Sequence, residues 1–203
     1  MQVTKDYIRK DIIQASARLF MAKGFSGVSM REIASAAHTG VGNIYNYFRS
    51  KDQLFYSLVA PALKDLEAML EEHHGRSGYD IMAMCDEKYL DCMVSQYTTL
   101  IGNHSHRLAL LLFKSQGSSL ATYRERFTDR ATALVKTYFA DMKTRHPDIY
   151  SDVTDFSLRI HTIWMFTLFE EILRQKVAAQ ERQKAITEYL TIEIAGWREL
   201  MKI

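Results

Sequence analysis

The sequence has few residues that interrupt helices, since two prolines and nine glycines stand among 203 residues. Because proline and glycine end helices and form turns, their scarcity favours long helices. No stretch sustains the apolar–polar alternation that a half-buried β-strand requires. The sequence therefore predicts an all-α protein of about nine helices.

Long apolar runs and catalytic signatures are missing as well. No run of about 18 uncharged apolar residues predicts a membrane span, and the charged start, Met1 to Asp6, is not typical of a signal peptide. We therefore expect a cytoplasmic protein with no membrane partner. No nucleophile elbow, P-loop, dinucleotide fingerprint or His-Glu-x-x-His is present, so we expect neither an enzyme nor a cofactor.

Metal ligands are equally sparse. Cys85 and Cys92 are the two cysteines, and on one helix they would lie about 10 Å apart, too far for a disulfide. We interpret them as small apolar residues, and a metal- or redox-sensing regulator that uses Cys85 and Cys92 stays open as an alternative. The pairs His73-His74 and His104-x-His106 lack a third ligand nearby, which predicts solvated loop histidines and no metal site.

Positive charge is concentrated in the first part of the chain. Residues 1–60 carry eight Lys and Arg against four Asp and Glu, whereas the rest carries 18 basic and 20 acidic residues. The net charge of +2 is thus the sum of +4 in residues 1–60, the basic head of the chain, and −2 in the remaining residues, its slightly acidic body. This distribution is typical of a phosphate-binding module joined to a neutral body.

Three helices are predicted at the start of the chain. Apolar residues at helical spacing predict the first over residues 5–22. Ser29 and Glu32 form a capping box that begins a second helix, and residues 41–48 form a third after a short break. Two short helices packed on a longer one are typical of a DNA-binding helix-turn-helix.

The rest of the chain consists of apolar segments with helical period. A longer helix containing Pro61 follows residue 50. Further helices are predicted at 79–101, 106–114, 119–145, 152–178 and 182–201. The organisation is therefore a three-helix domain at residues 1–55 and a larger helical domain at residues 56–203.

A series of residues at fixed spacing runs through the first domain. Its members are Ala15, Leu19, Phe20, Gly24, Arg31, Ile33, Ala34, Ala37, Gly42, Tyr45, Tyr47, Phe48 and Lys51. In order and spacing the series resembles the tetracycline-repressor (TetR) family of bacterial regulators. Thr39 stands where that family often has a buried valine. His38 stands where it usually has glycine in a left-handed conformation, which histidine adopts more readily than most residues.

The resemblance implies that the second helix of the motif enters the major groove of double-stranded DNA. The base-reading residues would then be Val41, Gly42, Asn43 and Asn46. Among them Asn43 is the best candidate, because asparagine can bond bidentately to adenine. Phosphate contacts, which fix position without reading sequence, would come from Ser29, Arg31, Tyr45, Tyr47 and Lys51.

The resemblance also implies a homodimeric repressor of an inverted-repeat operator, released by a small molecule that binds in the larger domain. Apolar stripes on the last two helices supply the dimer candidates Phe156, Ile160, Trp164, Ile186, Tyr189 and Trp197. The pocket candidates are Met69, Tyr89, Met93, Tyr97, Phe113, Tyr123, Phe127, Trp164 and Phe169. The methionine-rich segment 81–85 favours an apolar or aromatic effector. A helical protein-interaction module without an effector is the other alternative.

Overall fold

The computed structural model describes residues 2–203, with side chains from Tyr7 onward, so residue 1 of the predicted first domain lies outside the described residues. Within that range the regular structure is helical and contains no strand, which confirms the all-α prediction. The helices are α1 (Gln2–Lys23), α2 (Met30–Ala36), α3 (Val41–Tyr45), α4 (Lys51–His74), α5 (Glu87–Phe113), α6 (Tyr123–Arg145), α7 (Asp155–Arg174) and α8 (Ala179–Met201).

Helix α5 accounts for the difference between the predicted number of helices and the number in the structure. The segments predicted as separate helices at 79–101 and 106–114 are joined in one helix, in which His104 departs from helical geometry (φ −125°, ψ 15°). The sequence break at Gly102 and Asn103 is therefore a kink, because the hydrogen-bond ladder resumes on the far side of His104. Helix α4 likewise continues through Pro61.

Cys85 and Cys92 do not lie on one helix, although the helix predicted over residues 79–101 would contain both. Ile81–Cys85 forms a short 3₁₀ turn, whose start is capped by the Asp80 side chain accepting from the Met82 N–H at 3.0 Å. Cys92 lies on α5. The prediction of one continuous helix over residues 79–101 was wrong, because the Asp80 cap and the tighter turn separate this segment from α5.

The first compact unit comprises the residues up to Lys64 together with His106–Tyr123. Gly24 ends α1 with a φ of 73°, and its N–H donates to the Phe20 carbonyl at 2.8 Å. The rings of Phe20, Phe25 and Phe55 pack with their centres between 5.2 and 5.8 Å apart. Since Phe55 comes from α4, the fourth helix completes the core of the three-helix head, as the small size of that head predicts.

Polar contacts hold two further segments of this unit. The predicted capping box at α2 is confirmed, with the Ser29 hydroxyl accepting from the Glu32 N–H and the Glu32 carboxylate accepting from the Ser29 N–H. The hydrogen bond from Lys23, together with those from Ser29, lowers the pKa of Glu32 to about 2. After α5, the Ser119 N–H and hydroxyl donate to Asp52, each at 2.7 Å. This segment therefore packs with the head although it follows α5 in sequence.

The second compact unit comprises Asp65–Ser105 and Arg124–Ile203. One of its apolar clusters draws on the 3₁₀ turn and on α6, α7 and α8. The buried members of this cluster are Ile81, Val135, Tyr138, Phe139, Met142, Ile149, Leu158 and Met201. None of the helices within residues 2–203 combines the length and apolar character that crossing a bilayer requires.

Candidate functional site

The turn between α2 and α3 has the backbone geometry that the sequence predicts. His38 adopts a left-handed conformation with a φ of 49°. The following N–H, of Thr39, donates to the Ala34 carbonyl at 2.9 Å, and Gly40 precedes α3 without a side-chain cap. This turn fixes the direction in which the short helix α3 leaves α2.

Helix α3 is anchored on one side and open on the other. Ile44 and, just beyond the helix, Phe48 are buried. Gly42, Tyr45 and Asn46 are exposed, and Val41 and Asn43 are half-buried. The helix therefore presents the predicted base-reading residues on its outer side. Nothing within 4 Å would meet a side chain at Gly42, so a large partner can approach the backbone there.

Asn43 is held in place by its neighbours on the same surface. Its amide N–H donates to the Thr39 hydroxyl at 2.8 Å. Its amide oxygen accepts from the Asn46 side chain at 3.3 Å. An amide group has two N–H donors and an oxygen with two lone pairs, so one donor and one acceptor site of Asn43 stay available. Thr39 thus orients the best base-reading candidate.

The predicted phosphate contacts divide into two groups. Arg31 and Tyr45 are exposed and Tyr47 is half-buried, so all three side chains can reach a partner. The Ser29 hydroxyl is engaged in the capping box. The Lys51 ammonium donates to the carbonyl oxygens of Phe25 and Val28, each at 2.8 Å, so this lysine holds a loop of the head.

A basic groove adjoins this surface and was not identified from the sequence. Tyr47 lines it together with Arg9 of α1 and Lys64 of α4. The Arg9 guanidinium carbon lies 5.6 Å from the centre of the Phe48 ring, a cation–π contact that orients it. The residues come from separate helices, which explains why no local motif indicates the groove.

The second unit encloses a cavity of about 120 Å³. The predicted pocket residues that line it are Met69, Tyr89, Met93, Tyr97 and Phe127. The other four predicted pocket residues lie elsewhere. Phe113 and Tyr123 belong to the first unit, Trp164 is 54% exposed, and Phe169 is buried against Tyr97 with ring centres 5.5 Å apart. The spacing of apolar residues shows which side of a helix is apolar. It does not show which other helix packs against that side.

Several polar residues of the cavity wall were missed in the sequence. They are His73 and His74 of α4, His161 of α7 and Glu193 of α8. Nδ1 of His161 hydrogen-bonds the carboxyl of Glu193, and Nε1 of Trp197 lies 3.2 Å from the same nitrogen. These groups come from three helices that are far apart in the sequence, so the sequence alone does not predict that they lie close together.

The prediction of solvated loop histidines was wrong for His73, His74 and His104. Helix α4 extends to His74, and its apolar period continues one turn past Leu70 to reach His73, which is 6% exposed. His104 is buried at the kink of α5, where its Nε2 lies 2.7 Å from an Asp65 carboxylate oxygen. Of the four histidines, His106 is exposed. Among the side chains that the structure describes, from Tyr7 onward, no three of His, Cys, Asp or Glu converge as metal ligands.

Burial keeps the imidazoles of His73 and His74 neutral. It lowers the pKa of His73, and burial together with the neighbouring His73 and His161 lowers the pKa of His74 to about 3. Burial also raises the pKa of Tyr89 to about 12. At neutral pH these imidazoles and this phenol therefore offer hydrogen bonds without charge.

An apolar groove lies on the outer side of α7 and α8. Its most exposed members are Phe156 (72%), Ile192 (73%) and Trp164. The other predicted dimer residues are distributed differently. Ile160 and Trp197 line the groove, Tyr189 is half-buried, and Ile186 is completely buried within the protomer. Ile192 was missed because an isoleucine is not an obvious choice for an exposed position.

The first part of the chain is similar to known regulators. Residues 12–58 match the family described as "Bacterial regulatory proteins, tetR family". The chain is 42% identical over 60 residues to the probable HTH-type transcriptional regulator YttP of Bacillus subtilis (strain 168), covering 30% of this chain and 29% of YttP. It is 32% identical over 76 residues to the HTH-type transcriptional repressor KstR of Rhodococcus jostii (strain RHA1), covering 37% and 36% of the two chains. The matched part thus spans about a third of these relatives.

Solved structures share the fold over most of the chain. NalD of Pseudomonas aeruginosa, the secondary repressor of the MexAB-OprM multidrug efflux pump, superposes with a TM-score of 0.63 at 18% identity, covering 95% of this chain and 96% of NalD. SCO3833 of Streptomyces coelicolor A3, a member of the TetR transcriptional regulator family, gives a TM-score of 0.58 at 22% identity and 87% coverage of both chains. These likenesses confirm a helix-turn-helix head followed by a larger helical part.

Proposed function

We propose that this chain, whose residues 12–58 match the family described as "Bacterial regulatory proteins, tetR family", belongs to that family and is a DNA-binding transcriptional repressor. It binds an inverted-repeat operator as a homodimer in the cytoplasm and is released by a small molecule. The observation that carries the proposal is the exposed side of α3, held at a fixed angle by the left-handed turn at His38 and by the buried Ile44.

DNA recognition is assigned to the domain at residues 1–55. Helix α3 enters the major groove, where Val41 contacts a thymine methyl group and Asn43 and Asn46 meet base edges, while Gly42 lets the backbone approach closely. Arg31, Tyr45 and Tyr47 contact phosphates on either side. Arg9 and Lys64, which border the groove next to Tyr47, add positive charge to the same surface.

Dimerisation is assigned to the apolar groove of α7 and α8. Phe156, Trp164 and Ile192 expose large apolar side chains on these two helices, and exposed apolar patches mark interaction surfaces. A two-fold axis at this groove would bury the same residues from both protomers. The pair of α3 helices then fits half-sites whose centres lie roughly 34 Å apart or somewhat more.

Effector binding is assigned to the cavity in the domain at residues 56–203. Met69 and His73 of α4 line this cavity, and the same helix begins at Lys51, directly after the helix-turn-helix. A ligand that contacts α4 therefore has a continuous helix through which to alter the position of the DNA-binding residues. The apolar side chains of the wall favour an apolar or aromatic effector.

A gel-shift experiment tests the regulator proposal directly. The purified chain is titrated onto the DNA that flanks its own gene, with random DNA of equal length and base composition as the control. We expect a discrete complex on the flanking DNA that survives an excess of the random DNA. Equal binding to both DNAs, or no complex on either, would favour a helical protein-interaction module instead.

A further inference from the structure

We propose that the cavity of the second unit selects a small uncharged molecule with one apolar ring and a hydrogen-bond donor such as a hydroxyl group, and that it excludes anions. This inference rests on the proposed role of the cavity as the effector site. It is carried by an unsatisfied hydrogen-bond acceptor on His73, by the absence of basic side chains among the described lining residues, and by the size of the cavity.

His73 supplies the acceptor. Its Nε2 lies 2.6 Å from the amide oxygen of Gln96. Because that oxygen can only accept, Nε2 carries the proton, and Nδ1 of the neutral ring is left with a lone pair. Nδ1 is buried and has no hydrogen-bond partner among the described residues. A ligand that donates a hydrogen bond would satisfy this atom, whereas a ligand without a donor would leave it unpaired.

The neighbouring His74 adds a second neutral group to the same wall. Its Nδ1 is likewise buried without a partner in the described part of the chain. Its pKa of about 3, lowered by burial, keeps the ring uncharged at neutral pH. Neither imidazole therefore provides the positive charge that a carboxylate or phosphate ligand would need.

The remaining charged groups of the wall are acidic. Among the described lining residues there is no Lys or Arg, while Asp80 and Glu193 contribute carboxyl groups. Asp80 is paired with His146 at 2.8 Å, and Glu193 with His161. An anionic ligand would enter without a counter-charge, and the cost of burying an unpaired charge would exclude it.

The volume limits the ligand to about one ring. The cavity measures about 120 Å³, close to the ~150 Å³ cavity that is known to hold benzene. Met69, Met93 and Phe127 lie on its apolar wall. Flexible methionine side chains adapt to the outline of such a ring, so a substituted phenol has the required combination of shape and donor.

The experiment compares three probes of similar size by isothermal titration calorimetry on the full chain without DNA. 4-Ethylphenol and 4-methylanisole are isomers, of which the first has a hydroxyl donor and the second has none. 4-Methylbenzoate tests the anion. We expect 4-ethylphenol to bind roughly 3- to 10-fold more tightly than 4-methylanisole, and 4-methylbenzoate to bind most weakly. Equal binding of the isomers, tightest binding of the benzoate, or no binding of any probe would overturn the proposal.

A variant pair assigns the preference to His73. His73→Phe keeps a ring but removes Nδ1, so the preference for 4-ethylphenol should disappear. His106→Phe, at an exposed position outside the cavity, should preserve it. The isomer comparison on the unaltered chain does not depend on the folding of either variant. Loss of operator binding in the gel shift would count against the regulator proposal, whereas the calorimetry without DNA tests the ligand class alone.

Discussion

The Lys51 ammonium lies 2.8 Å from the carbonyl oxygen of Phe25 and 4.2 Å from the centre of the Phe25 ring. The same ammonium donates to the Val28 carbonyl at 2.8 Å. A lysine that the sequence pattern indicates as a phosphate contact thus closes the loop between α1 and α2. Both hydrogen bonds involve a charged donor, which makes them stronger than neutral ones.

Lys51→Met should therefore lower the stability of the fold. Loss of charge-assisted hydrogen bonds to two carbonyl groups predicts a decrease of about 1.5–3 kcal/mol in the free energy of unfolding. Urea denaturation followed by circular dichroism measures this change. Lys64→Met is the matched control on the exposed side of the same helix, where we expect a change within about 0.5 kcal/mol. Equal stability of the two variants would show that the loop contacts contribute little.

Asn43→Ala should reduce affinity for the operator more than affinity for random DNA. One bidentate contact to a base contributes about 1–3 kcal/mol of discrimination, which corresponds to roughly 5- to 150-fold in the dissociation constant for each half-site that a protomer contacts. Fluorescence anisotropy with both DNAs measures the ratio. Thr39→Val, which removes only the hydroxyl that orients Asn43, should give a smaller loss of the same kind. A parallel loss on both DNAs for Asn43→Ala would refute its base-reading role.

Arg31→Ala should weaken binding to every DNA by a similar factor. Each neutralised phosphate contributes about 0.9 to the magnitude of the slope of log K against log salt concentration, so loss of Arg31 from both protomers of the dimer should lower that magnitude by about 1.8. Titrations at several salt concentrations measure that slope. Arg76→Ala removes an exposed arginine from the second unit and should leave the slope unchanged. A normal slope for Arg31→Ala would exclude a phosphate contact.

Trp164→Glu should convert the dimer to a monomer. The substitution places a charge in the apolar groove of α7 and α8, where pairing of two copies would bury it without a partner. Sedimentation velocity at micromolar concentration measures the change, and operator affinity should fall with it. Met82→Glu, an exposed apolar position away from this groove, is the control and should stay dimeric. A dimer that persists in Trp164→Glu would place the interface elsewhere.

Stability should decrease as the pH falls below about 6.5, because of His74. Its pKa is lowered from the usual 6.5 to about 3 in the folded chain, so the unfolded chain binds a proton in this range and the folded chain does not. The contribution amounts to about 1.6 kcal/mol between pH 6.5 and pH 5. Urea midpoints across this range should be less pH-dependent in His74→Phe than in His106→Phe. The same pH dependence in both variants would contradict a buried, neutral His74.

Local sequence patterns predicted the head of the molecule well. The capping box of Ser29 and Glu32 and the left-handed turn at His38 depend on residues within a few positions of each other. The exception is the groove beside Tyr47, where Arg9 and Lys64 arrive from different helices. Contacts between segments that are distant in the sequence produce no periodic pattern, so they could not be predicted from it.

The sequence by itself determined where α2 begins and where the turn before α3 lies, because caps, turns and hydrogen bonds four residues apart act locally. Tertiary structure decided which apolar faces became core, cavity or surface. On α8, packing buries Ile186 and leaves Ile192 exposed. His73 and Glu193 line one cavity although their helices are far apart in the sequence. Each outcome depends on which neighbouring helix covers a face, and that is a property of the assembled chain.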